Sequence, residues 1–167
     1  MQRASGGGPL AARVTASAAE LLAKVAHASA EGWPEAAGVA AQAQCLHDRA
    51  APLAEVAARA YEEALAAAGG DYEFGRAYAQ AAEPPLRIVE AAADVAELAA
   101  LVAANGDPAL RADAVAAGLL AAAAAQAAAE LVAVNLTVSP DDERSRRAQA
   151  LAEGAARFAD AARAARE

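Results

Sequence analysis

The chain has 167 residues, 57% of them hydrophobic but only 4% aromatic, so alanine supplies most of the material for the one core it is long enough to build. Alanine favours helix over strand, and the β-branched and aromatic runs of a sheet are absent, so the fold class reads as all-α. With 22 acidic and 14 basic residues the net charge is −8, which disfavours nucleic acid and anionic membrane surfaces as partners.

The first residues, through Gly6-Gly7-Gly8, lack the apolar stretch of a secretion signal. Pro9 fits a helix start, where its missing N–H costs nothing. The first helix is predicted to run to about Ala30 with Leu10, Val14, Leu21 and Val25 inward, ending at Glu31-Gly32-Trp33-Pro34. A second helix is predicted from near Pro34 to Ala68, either kinked at Pro52 or interrupted between Arg49 and Ala51. Gly69-Gly70 closes it, and Asp71 caps a short third helix reaching about Ala82.

Glu83-Pro84-Pro85 forces the next boundary. The fourth helix runs from Pro85 to Ala104, with Leu86, Val89, Val95, Leu98 and Val102 as its apolar face and Asn105-Gly106 as its stop. Asp107-Pro108 restarts the chain as cap and first helical residue. From Ala114 to Ala129 the fifth helix carries no charge, and Gln126 is its one strongly polar side chain. A helix apolar all round belongs in the middle of a bundle or in a subunit interface. The charge-free stretch reads as too short and too alanine-rich to span a bilayer. Ser139-Pro140-Asp141-Asp142 signals a sixth, amphipathic helix with Leu151 and Phe158 inward. The reading is one domain over 1–167: five to six alanine-rich helices around a central helix at about 108–136.

Few side chains suggest chemistry. His27 and His47 lack a helical ligand partner, so no metal site is expected. Cys45 cannot form an intrachain disulfide and reads as a buried structural thiol, compatible with a cytoplasmic location. The cluster Arg144, Arg146 and Arg147 reads as a solvated first turn and a half of the last helix. Gly6, Gly7 and Gly8 are either a flexible helix start or a place where backbone N–H groups approach a ligand. Asp113, if its helix is central, is partly desolvated and needs an arginine or a ligand as partner. Asn135 either binds helix-end carbonyls or faces a ligand.

Four segments carry a resemblance. Gly6-Gly7-Gly8 precedes an alanine-rich helix, as in a Gly-Gly-Gly-Ser start. Glu83-Pro84-Pro85-Leu86 leads into Val89-Glu90-Ala91-Ala92. Asn105-Gly106-Asp107-Pro108 continues through Ala112-Asp113 to Val115-Ala116-Ala117, and Val134-Asn135-Leu136 closes the same helix. In this order they resemble the cyclodeaminase/cyclohydrolase family, which includes formimidoyltetrahydrofolate cyclodeaminase domains and methenyltetrahydrofolate cyclohydrolases.

The resemblance implies a helical homodimer acting on a tetrahydrofolate derivative, with no further cofactor and no metal. It implies that Asp113 anchors the pterin or moves protons, that Asn135 orients the one-carbon unit or its water, and that Gly6, Gly7 and Gly8 admit the ligand to the backbone. The chain departs from the family at Pro9 (usually Ser), over His27 to Gly32 (usually rich in Lys and Arg), in Ala57-Ala58-Arg59-Ala60-Tyr61 (where an Asp is expected before the aromatic), and at Leu131 and Ala133 (usually Asn and Arg). These departures leave a second reading open: a non-catalytic helical dimer that binds another small ligand or a partner protein.

Overall fold

The structure, a computed structural model, describes residues 6–67, 71–137 and 141–165, and only the backbone at 71–74. Among the described residues there is no strand. Seven α-helices follow in order: α1 (Gly7–Ala28), α2 (Ala36–Ala50), α3 (Leu53–Ala66), α4 (Asp71–Ala81), α5 (Glu83–Asn105), α6 (Arg111–Asn135) and α7 (Glu143–Ala164). A single 3₁₀ turn, Pro108–Leu110, precedes α6. The count exceeds the expected five to six because the second predicted helix is two helices. The break falls at Ala51-Pro52, where proline cannot donate the next helical hydrogen bond.

The helix starts follow the local chemistry. Asp107 accepts a hydrogen bond from the Ala109 N–H at 2.8 Å, and Asp142 accepts one from the Arg144 N–H at 2.9 Å. The cap of α7 is therefore Asp142; Ser139 and Pro140 lie outside the described residues, as do Gly69, Gly70 and the Asp71 side chain. Helix α5 buries Leu86, Val89, Val95, Leu98 and Val102, the face its periodicity predicts.

Helices α1, α5 and α7 surround α6, and the α5–α6 pair makes the most extensive contact. Contact surfaces are methyl groups: Ala114, Ala117, Ala121, Ala125 and Ala128 of α6 are fully buried. Gly118 sits at a tight crossing: a Cβ there would stand 3.2 Å from the Ala99 Cβ of α5, closer than ordinary contact by a few tenths of an ångström, and in normal contact with the Ala162 Cβ of α7 at 3.8 Å. Each buried methyl contributes only about 0.8 kcal/mol, so cohesion comes from many close contacts rather than a few large side chains.

Two expectations fail for one reason. Leu10 is 57% exposed, because α1 turns Ala12, Ala19, Leu22 and Ala26 inward instead. Cys45 is exposed, because the buried stripe of α2 is Ala36, Val39, Ala43, Leu46 and Ala50. Helix α6 is packed between α1, α5 and α7, as expected of the central helix, and leaves Leu119, Leu120 and Val134 exposed on its remaining side. Where alanine occupies every side of a helix, apolar periodicity no longer selects a face. By length and composition the 108–135 segment could cross a membrane, contrary to expectation, but half of its most apolar window is packed inside the bundle.

Candidate active site at the two ends of α6

The N-terminal end of α6 is held by neutral, tightly fitted groups. The buried Ser29 hydroxyl donates to the Val25 carbonyl at 2.8 Å and accepts from the Asp107 N–H at 2.9 Å. A Cβ on Gly106 would stand 2.8 Å from the Val102 carbonyl oxygen and 3.0 Å from the Ser29 hydroxyl, so this approach requires glycine. Because α1 ends where α6 begins, the two helices run antiparallel.

Asp113 sits in the first turn of α6, where a carboxylate meets the positive end of the helix dipole. It is exposed and makes no hydrogen bond or ion pair with another described residue. The expected desolvation is therefore absent: Asp113 points along the uncovered side of α6. At seven-residue spacing it shares that side with Leu120, Ala127 and Val134, all exposed.

Asn135 closes α6 at the other end. Its Nδ2 donates to the Ala81 carbonyl at 3.0 Å, fastening α6 to the end of α4. It thus binds a carbonyl, though one 54 positions away in sequence rather than in its own helix. The glycines reach this same end. A Cβ on Gly7 would meet the Leu131 side chain at 3.4 Å, and one on Gly8 the Ala57 Cβ at 3.1 Å. Gly6 faces open space. No side chain caps the first N–H groups of α1. Gly6 to Gly8, Leu131 and Asn135 are thus brought together within about one helical turn. Asp113 is not among them, being roughly 33 Å away along α6 at 1.5 Å per residue. One substrate cannot touch both Asp113 and Asn135 of a single chain.

Sequence reasoning missed a charged cluster beside Asn135. Arg144, read as solvated, is partly buried. It chelates Asp142 through Nε (3.0 Å) and Nη2 (2.8 Å), donates through Nη1 to Glu83 at 2.7 Å and to the Ala79 carbonyl at 2.9 Å. These bonds tie the start of α7 to the start of α5 and the end of α4. The Arg144 guanidinium, helped by the Arg144 N–H, lowers the Asp142 carboxyl to about 2. Asp142 and Glu83 in turn raise the Arg144 guanidinium above its ordinary range. Arg147 pairs with Glu90 of α5 at 2.7 Å, while Arg146 bonds the Asp141 carbonyl at 3.1 Å. The signal in sequence was Asp142, a helix cap two residues from Arg144; its distant partners were not legible. Among the described residues, His, Cys, Asp and Glu nowhere gather as a metal-ligand set.

The sequence profile of formiminotransferase-cyclodeaminase matches residues 1–154, a span that contains every motif at both ends of α6. The chain belongs to the formiminotransferase-cyclodeaminase family. Its fold is similar to that of a solved structure, formiminotetrahydrofolate cyclodeaminase from Thermotoga maritima, with a TM-score of 0.84 at 23% sequence identity. The match covers 95% of this chain and 87% of that one. No curated protein sequence matches the chain. Leu131 packs over Gly7 at a position where the resemblance leads one to expect a polar residue.

Proposed function

We propose that the protein is a folate one-carbon enzyme, a cyclodeaminase or cyclohydrolase acting on a tetrahydrofolate derivative, and that it works as a homodimer. The observation that carries this reading is the uncovered side of α6, on which Asp113 lines up with Leu120, Ala127 and Val134. Leu120 is 47% and Val134 64% exposed, an apolar stripe suited to a second copy of the same helix. A two-fold axis through Ala123, the midpoint of α6, pairs the helices antiparallel and sets Asp113 opposite Ala133 of the partner subunit. Each Asp113 then lies near the partner's Asn135 and glycine helix start, and the 33 Å separation within one chain closes. A parallel pairing would set the two Asp113 carboxylates against each other.

In this arrangement the carboxylate accepts paired hydrogen bonds from the amidine-like edge of a pterin or shuttles protons. The Asn135 amide orients the one-carbon unit or its water, and the free N–H groups at the start of α1 face developing negative charge. Expulsion of ammonia from a formimino group and addition of water to a methenyl bridge both pass through a tetrahedral carbon, so both fit.

Titration calorimetry with 5-formyltetrahydrofolate is the first test. Binding in the micromolar range (about −8 kcal/mol) is expected, with loss in Asp113→Asn. Subunit complementation tests the shared site. Mixed Asp113→Asn and Asn135→Ala subunits should regain about a quarter of wild-type turnover, because half the dimers carry one intact site of two. No heat at millimolar folate would overturn the folate reading; binding without complementation would overturn the shared site alone.

The packing of Leu131 over Gly7 favours a second reading, a non-catalytic dimer that keeps the α6 interface and binds another ligand or a protein. In that case Asp113→Asn leaves dimerisation and stability unchanged and there is no turnover to lose.

A further inference from the structure

A second cavity lies away from both ends of α6 and includes no residue of that helix. It is a groove of about 660 Å³ between α2 and α5, with Phe158 of α7 at its rim. That volume falls within the range of small-molecule sites. Along α5, Asp94, Glu97, Leu98 and Leu101 form its floor. Leu98 is buried but Leu101 is 44% exposed, a large apolar side chain left partly open to solvent. Leu46 and Phe158 extend the apolar surface.

The polar groups are sorted by charge. Arg49 reaches from α2 to pair with Asp94, so the cation of the groove is already committed. Glu97, one turn along, is exposed and has no cationic partner among the described residues. The groove therefore offers, in order along α5, a half-neutralised carboxylate, a free carboxylate and a partly exposed leucine. A ligand complementary to that order carries one positive charge at one end and an apolar body at the other. Anions meet the opposite of what they need, in a protein already at −8.

We propose that this groove binds a small amphipathic cation, such as a primary amine with an aryl or short alkyl body. The ammonium group lies at Glu97 and Asp94, and the body lies on Leu98, Leu101 and Phe158. Cys45 lines the groove, is exposed and is the only cysteine of the chain, so its reactivity reports occupancy.

The test uses the full chain and three probes of one shape: 2-phenylethylamine, neutral 2-phenylethanol and anionic 3-phenylpropanoate. Binding is read by titration NMR, and occupancy by the rate of Cys45 alkylation with N-ethylmaleimide. The amine should saturate with Kd below about 1 mM and slow alkylation about fivefold or more. The alcohol should bind about fivefold more weakly, and the carboxylate weaker still. Glu97→Gln, a substitution at an exposed position, should erase the preference for the amine over the alcohol without changing alcohol binding. The proposal is overturned by unsaturated binding of the amine at about 10 mM, by equal binding of the three probes, or by an amine preference that survives Glu97→Gln.

Discussion

The two ends of α6 are fastened in opposite ways. At the start, Ser29, Gly106 and the Asp107 backbone fit together through neutral, largely buried hydrogen bonds with no room for one more carbon. At the finish, Arg144 gathers Asp142, Glu83 and a carbonyl in a charged cluster open to water, with the Asn135 amide beside it. The first kind of joint is specific and brittle; the second is tolerant and responds to salt and pH. The difference also bears on function, because Asp113 stands by the rigid joint while the glycines and Asn135 stand by the adjustable one.

Gly106→Ala should break the rigid joint with the largest effect. Its new methyl meets a backbone carbonyl that cannot rotate away, and chemical denaturation should show a loss of about 2–3 kcal/mol. Arg144→Gln should loosen the charged joint by about 1 kcal/mol, since Glu83 is half exposed and the other groups are only partly buried. That loss should shrink in 1 M salt, where the wild-type cluster is itself screened, whereas the Gly106→Ala loss should not.

Acid separates the joints further. The Asp142 carboxyl has its folded value lowered from 3.8 to about 2, so its contribution is complete above its ordinary value and disappears as pH falls between these limits. Thermal melts of the wild type should therefore show a destabilising phase from pH 4 to pH 2 that Arg144→Gln removes. The smallest effect belongs to Asp113→Asn, an exposed position without a protein partner. Monomer stability should stay within about 0.5 kcal/mol, and any larger change must come from a partner subunit or a ligand.

Much of the fold was legible because proline and acidic caps punctuate it. Pro84-Pro85, Asp107-Pro108 and Asp142 each mark a helix start, and the branched residues of α5 name its buried face. The faces of α1, α2 and α6 were not legible, since alanine reads the same whether it is buried like Ala121 or exposed like Ala123. The site was half legible for a related reason. Sequence order placed Asp113 and Asn135 on one helix, but not the solvent beside Asp113 or the Ala81 carbonyl that engages Asn135. Arg144 was misread because its partners come from α4 and α5, more than sixty positions away.

The methyl-lined contacts among α1, α5, α6 and α7 have a further consequence. Alanine has no side-chain rotamers, so burying it costs no rotamer freedom, and the core gives up little disorder on forming. For the same reason it cannot absorb an added carbon by turning a side chain. An added carbon, at Gly118 for instance, is taken up by a shift of a few tenths of an ångström between helix backbones, and a shifted α6 carries Asp113 and Asn135 with it as one rigid rod.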